Sequence, residues 1–282
     1  MLKLVNIGCG GVYHSDWINL DKLPRSEHIQ NYDISRPLPL EADSVDACYS
    51  SHVLEHLTPE QAKKFVADCE RVLKPEGIIR LVVPDLEAIV KVYLQCLAEA
   101  STQNILAEAN YDWILLELFD QMLRSQPGGQ MKNFLNQSPL LNKDFIGDRL
   151  GQEAAGFWQE KTPPPSLYTR LRLKGWSWLI QKSRLLIAEA LVGLIAGSQA
   201  RLALKTGLFR QSGEIHQWMY DRFSLTRLLE TQGFEAVEIC SAWQSAIPNF
   251  PDYQLDTIGA QVRKPDSLFI EARKKTPLPA RT

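Results

Sequence analysis

The sequence predicts an α/β protein: a doubly wound sheet, mostly parallel with an antiparallel edge strand, plus a largely helical insertion. Three observations predict it. The chain opens on an apolar run, Leu2 to Ile7, broken by Gly8, Gly10 and Gly11, and a second segment, Trp17 to Leu20, ends on Asp21. Strand, glycine turn, strand and carboxylate is how such a sheet builds a nucleoside pocket. Strand-like and helix-like patterns then alternate up to about residue 100. Finally, more than a hundred residues, 101–212, depart from that alternation, where a sheet of this kind needs only a short crossover.

The glycine turn does not suit a dinucleotide. Tyr13 stands where G-x-G-x-x-G needs its third glycine, and Asp21 follows Gly8 by only 13 residues instead of about 20. The first connection therefore holds no full helix. Backbone N–H groups of the turn suit one small anion, such as an amino-acid carboxylate, and Asp21 suits the two hydroxyls of a ribose.

Ile29 to Tyr32 reads as a third strand ending at Asp33-Ile34, before Pro37 and Pro39. There Asp33 suits an exocyclic amine with Ile34 against the ring, or else forms an Asx turn. Ser44 to Ser50 reads as the fourth strand, and Ser50, Ser51 and His52 fall at its carboxyl end, where ligands bind in open sheets. His52 and His56 are four apart, but H-E-x-x-H is absent and no third ligand is evident, so hydrogen-bonded histidines are expected and no metal. Thr58-Pro59-Glu60-Gln61 is a helix start with a cap and a first-turn proline. Ala62, Phe65, Val66, Cys69, Val72 and Leu73 mark its apolar face, and Lys74-Pro75-Glu76-Gly77 is expected to end the helix and turn the chain. Ile78 to Val83 reads as an apolar central strand, and Asp85 as the cap of the next helix.

Bulk properties bound the function. The chain has 282 residues, 45% hydrophobic and 23% charged, with net charge −2, which argues against a nucleic-acid binder. Five scattered cysteines, without C-x-x-C, fit a reducing compartment and argue against disulfides or zinc. The first strand begins at the initiator methionine, so no signal peptide is expected.

The runs N-I-G-C-G-G, W-I-N-L-D, Y-D-I-S-R-P-L-P-L, S-V-D-A-C-Y-S-S-H-V-L-E-H-L and R-V-L-K-P-E-G-I-I-R-L-V-V-P-D-L resemble a class I S-adenosylmethionine-dependent methyltransferase, closest to the type 11 small-molecule branch. The resemblance covers Met1 to about Tyr93 and resumes from Gly213 to about Lys274. It departs at position 6, where Asn6 replaces an acidic residue, and in a shortened first helix. It implies a Rossmann-like fold with S-adenosylmethionine as cofactor. Gly8, Cys9 and Gly10 would approach the methionine part, Asp21 the ribose, Asp33 and Ile34 the adenine, and Ser50 and Ser51 the sulfonium. His52 would face the substrate. His52 and His216 are the candidate bases and Tyr220 the candidate positioning residue, with packing or capping as the other reading of the histidines. The reaction implied is O-methylation of a small molecule or a glycan- or lipid-linked acceptor. The alternative is a non-catalytic cofactor-binding module, and a nicotinamide oxidoreductase is disfavoured by the glycine spacing.

The divisions expected are a core at 1–100, the insertion at 101–212, the rest of the core at 213–275 and a disordered tail at 276–282. Asn104 to Leu123 looks helical and Gln126 to Gly151 loop-like. Residues 161–212 carry nine basic residues against one acid, Glu189, with Trp176, Trp178 and an apolar run, Leu185 to Ala196. Twelve residues fall short of the roughly 20 that span a bilayer. This stretch reads as a helical subdomain with a solvated basic face, a peripheral membrane contact, or a lid over an anionic substrate. The expected location is cytoplasmic, with peripheral contact at a membrane surface. Ser224 is expected to cap a helix that Gly233 ends, ahead of an antiparallel pair, Phe234 to Cys240 and Ser267 to Arg273.

Overall fold

The computed structural model describes residues 2–102, 104–158 and 167–276. The expected tail, apart from Thr276, lies outside the described residues. So do Lys161 and the side chains of Arg170, Arg172, Lys174, Trp176 and Trp178.

The amino-terminal half follows the apolar pattern. β1 (Leu4–Ile7), β2 (Trp17–Asp21), β3 (Ile29–Asn31) and β4 (Val45–Ser51) pair in parallel. No helix separates β1 from β2. α1 (Pro59–Val72) starts in the expected capping box: Gln61 N–H donates to Thr58 Oγ1, and Gln61 Oε1 accepts from Thr58 N–H. Lys74 to Gly77 do not form a separate turn. They make a bulge inside β5 (Leu73–Pro84), whose register against β4 shifts between Val45 and Ala47, with Glu76 at φ +64°. Asp85 caps α2 (Leu86–Ala100), its Oδ1 accepting from Ala88 N–H.

In the insertion, Asn104 caps α3 (Ile105–Leu123). The stretch expected as loop holds two helices, α4 (Gly129–Leu135) and α5 (Lys143–Leu150), followed by α6 (Gln152–Trp158). Their sparse apolar residues, Met131, Ile146, Leu150 and Ala154, bury around Trp113 in a small core of their own. Polar composition hid these helices because each buries only one narrow stripe. α7 (Leu167–Arg210) closes the insertion. Its part Lys182–Arg210 is, by length and composition, long and apolar enough to cross a membrane, a longer stretch than the run read from the sequence.

The chain returns through α8 (Arg222–Thr231) and β6 (Phe234–Cys240) to the short pair β7 (Thr257–Ile258) and β8 (Gln261–Val262), then β9 (Ser267–Lys274). The cap of α8 is Asp221, not Ser224: Asp221 Oδ1 accepts from Ser224 N–H, and Ser224 Oγ from Asp221 N–H. The sheet order is β3-β2-β1-β4-β5-β9-β6, with β9 antiparallel to both neighbours. It is a Rossmann-like, mostly parallel sheet with helices on its faces.

One face of the sheet packs against α1 and α8 through Val5, Ile7, Leu81, Phe65, Val66, Leu225 and Leu229. The other is covered by the segment between β6 and β9, which brings Ala242, Ile247, Phe250 and Leu255 against Trp17, Tyr49 and Val82. The central strand is not purely apolar. Arg80 interrupts the run from Ile78 to Val83 and is fully buried. It pairs with Asp256 and Glu271, both at 2.7 Å, and its guanidinium lies 4.6 Å from the Phe250 ring centre.

Candidate active site

The glycine turn is held from three sides. Gly8 (φ +71°) must be glycine twice over, since an added Cβ would also lie 2.3 Å from Val53 Cγ2. Gly10 has φ +56° and nothing within 4 Å of an added Cβ, so its open side is free for a ligand. Asp21, at the tip of β2, fixes the turn: its Oδ2 accepts from Gly10 N–H at 2.8 Å and its Oδ1 from Leu23 N–H at 2.8 Å. A carboxylate has about four acceptor positions, so Asp21 keeps capacity for a ligand hydroxyl. Asn6 secures the far end of the connection, its amide donating to Val12 O at 3.0 Å and Asn19 Oδ1 at 3.3 Å.

Two cavities open beside the turn and share Gly8 and His52. The first, about 640 Å³, is lined by Asp21, Asp33, Ile34, His56 and Leu57, with Arg210 to Gly213 at one side. The second, about 680 Å³, is lined by Cys9, Gly10, Ser51, Tyr49, Asp256 and Phe269. A further cavity behind Tyr32 adjoins the first at Ile34 but does not reach the glycine turn. The candidate residues thus divide. Asp33 is half-exposed, its Oδ1 accepting from Ser35 N–H and its Oδ2 3.3 Å from Lys22 Nζ. Those contacts, the Ser35 backbone N–H first, hold its carboxyl below the usual range. Burial, with Asp21 nearby, pushes the Cys9 thiol up to about 11, so it stays protonated and is no nucleophile.

Three candidates lie elsewhere. Ser50 lines neither of the two cavities: it is buried, and its hydroxyl donates to Ile7 O at 3.0 Å, tying β4 to β1. Tyr220 lines neither; it packs in the main core and bridges to Asp85. Burial, reinforced by Glu55, raises its hydroxyl to about 12. His216 is buried against His56, ring centres 4.9 Å apart, and its Nδ1 has no partner. Burial, partly offset by Glu55, drops the imidazole to about 3, so it is neutral at physiological pH.

His52 differs from these. It has φ +54°, an uncommon conformation for a side chain with Cβ, at the wall common to both cavities. Its Nδ1 lies 3.1 Å from Glu55 Oε1 and its Nε2 2.9 Å from Ser267 Oγ. The carboxylate beside Nδ1 assigns the proton there and leaves Nε2 as the basic atom.

Glu55 is the residue sequence reasoning missed. It is fully buried on the 3-10 turn Leu54–His56, and neither oxygen has an aligned hydrogen bond. Burial pushes its carboxyl up, but His52, His56 and His216 outweigh this and hold it at about 2. The signal was present: an acid three residues after His52 and adjacent to His56. Donor atoms of Glu55, His56 and His216 lie within 4.8 Å of one another, although His56 Nδ1 is already engaged with Ile215 O.

Residues 16–81 match the family model of a methyltransferase domain, type 11. The match spans β2 to β5, with Asp21, Asp33, Ser51, His52 and Glu55, and begins after the glycine turn. No curated protein matches the chain. Among solved structures, a SAM-dependent methyltransferase from Archaeoglobus fulgidus aligns at 13% identity and TM-score 0.38, over 97% of this chain and 86% of that one. An S-adenosylmethionine-dependent methyltransferase from Mesorhizobium loti aligns at 14% and 0.34, over 97% and 91%. Human N-acetylserotonin methyltransferase in complex with SAM aligns at 12% and 0.31, over 90% and 36%. At such scores these likenesses assign no residue a role.

Residues 16–81 are thus similar to a methyltransferase domain, and the sheet that carries them is Rossmann-like; the cofactor that such a domain implies is S-adenosylmethionine. The residues present fit that cofactor. The open sides of Gly10 and Gly11 admit backbone contact, and Asp21 and Asp33 stand at a cavity within the usual range for small-molecule sites. The absence of phosphates from the cofactor matches the missing dinucleotide fingerprint.

Proposed function

We propose that the chain transfers a methyl group to a hydroxyl of a small molecule or of a glycan- or lipid-linked acceptor. The observation that carries this reading is His52, oriented by Glu55, at the wall shared by the two cavities. Asp21, Asp33 and Ile34 would hold the nucleoside in the first cavity, with Gly8, common to both cavities, and Gly10, lining the second, offering backbone to the amino-acid end. The bound cofactor supplies an activated methyl group. The chain's own task is then alignment and exclusion of water, worth about 7–11 kcal/mol of barrier when geometry is held. The second cavity receives the acceptor. Once the acceptor hydroxyl replaces that of Ser267 at His52 Nε2, Nε2 takes its proton, and Glu55, ionised and buried, steadies the imidazolium that results. Ser51 lines the acceptor side. His216 and Tyr220 support the wall from behind.

The test is transfer of label from methyl-labelled cofactor into a fractionated cell extract, with His52→Gln beside the wild type. The expected result is loss of transfer by about 10²–10⁴-fold with adenosylhomocysteine binding kept. Transfer at the wild-type rate in His52→Gln would remove the base. Binding without transfer to any fraction by the wild type would favour a non-catalytic module.

A further inference from the structure

α7 is not one straight rod. Glu189 Oε2 lies 3.2 Å from Lys205 Nζ and 3.9 Å from Arg201 Nη2. Sixteen residues of straight helix would separate Glu189 from Lys205 by about 24 Å. A Cβ added at Gly193 would lie 3.7 Å from Arg201 Cβ, a pair about 12 Å apart along a straight helix. Both pairs are centred on Gly197, which has φ +84°. The helix therefore reverses there, and residues 182–196 and 198–210 run back along each other with Gly193 at the closest approach.

The polarity of this hairpin is inverted. Its single buried residue is an acid, Glu189, enclosed between the arms by Arg201 and Lys205. Leu185, Leu186, Ile187, Leu191 and Leu202 face outward, and Leu194 and Ile195 at the tip are 84% and 82% exposed. A hairpin made for water buries its leucines and exposes its charges. The charges are also sorted by position. Residues 191–200 carry none; Lys182, Arg184 and Arg210 sit toward the root, Arg201 and Lys205 face Glu189, and residues 182–210 together hold five cations against one acid. Arms of about 15 residues reach only about 22 Å, short of the roughly 30 Å hydrocarbon core, so the reversal turns a run of membrane-crossing length into one that enters a single leaflet.

We propose that the hairpin 182–210 docks on an anionic bilayer, its uncharged tip inserted below the headgroups and its basic root against them. The cation collar complements anionic lipid and opposes pairing with a second copy, which would bring like charges together. The root is continuous with the wall of the first cavity, where Arg210 to Gly213 line it. Docking itself does not rest on the methyl-transfer reading, since it needs neither cofactor nor acceptor.

The experiment is co-sedimentation of the full chain with phosphatidylcholine vesicles, with and without phosphatidylglycerol, at low and high salt. The wild type is expected to pellet with the anionic vesicles and to be weakened by salt. The double variant Leu194→Glu/Ile195→Glu should lose about tenfold or more in partitioning, while Leu141→Glu, an exposed leucine outside the hairpin, should not. Circular dichroism shows that each variant is folded. A wild type that stays in the supernatant with anionic vesicles at low salt overturns the proposal, as does a tip variant that pellets like the wild type. A vesicle-indifferent dimer that the tip substitutions dissociate would overturn it in favour of a second copy.

Discussion

Asn6 shows how much one atom decides. Its amide nitrogen donates to Val12 O and to Asn19 Oδ1. An aspartate there would set a carboxylate against a carbonyl, with no proton to offer. The departure from the family pattern at this position therefore serves the short helix-free connection between β1 and β2. His216 carries a prediction at the same scale. Burial holds its imidazole at about 3 in the fold, against an ordinary value of 6.5. Below pH 6.5 the unfolded chain binds a proton that the folded one refuses, so stability present above 6.5 is lost progressively toward pH 3. The loss is about 2 kcal/mol between pH 6.5 and 5. Glu55, held at about 2 against 4.5, adds loss in the same direction below pH 4.5. Thermal unfolding followed from pH 7 to 5 should show Tm falling, and His216→Asn should flatten the fall. An equal fall in the variant would contradict the assignment. His216 was visible in the sequence as a histidine near the core's return. Its burial was not, because that depends on His56 and Glu55 meeting it from 160 and 161 positions earlier in the chain.

Among the elements, the connection from β6 to β9 does work that a helix after β1 would otherwise do. It covers the sheet face with Phe250 and Leu255, and the buried Arg80 ties it down through Asp256, Glu271 and the carbonyls of Ser241 and Gln244. Removing the guanidinium leaves two carboxylates buried without their partner. Burial already raises the Asp256 carboxyl, with Arg80 opposing it. Arg80→Met should therefore cost about 3–5 kcal/mol in chemical denaturation, and a loss under 1 kcal/mol would show that the cover is held by packing alone. Local signals made most elements legible. The glycines at 8 and 10, the box at Thr58 and the cap at Asp85 each act within a few residues. Arg80 was passed over because its partners are more than 160 residues away, and α4 and α5 because their apolar positions make sense only around Trp113. Glu189 stood out in the sequence only as the one acid of a basic, apolar stretch; the hairpin was not legible, because its partners at 201 and 205 lie far outside the reach of a straight helix.

Across the whole molecule, the two cavities meet at Gly8 and His52, while the basic hairpin rises from residues that line one of them. Under the proposed function that arrangement would separate three jobs: the amino-terminal sheet would hold the nucleoside, the carboxyl-terminal segment would close the acceptor side, and the insertion would set where the mouth of the site is presented. Much of the first cavity's lining was readable, since Gly8, Asp21, Asp33 and Ile34 lie near strand ends in order along the chain. The division between cavities was not, because Ser50 and Ser51 are neighbours whose side chains leave the strand on opposite faces. The central claim is that the glycine turn and Asp21 form the cofactor's seat. Its most direct test is calorimetric titration of the full chain with adenosylhomocysteine, comparing the wild type with Asp21→Ala. The account predicts one site in the wild type and at least about tenfold weaker binding in the variant, through loss of the ribose contact and of the Gly10 anchor. No binding to a folded wild type, or equal binding to both proteins, would contradict it.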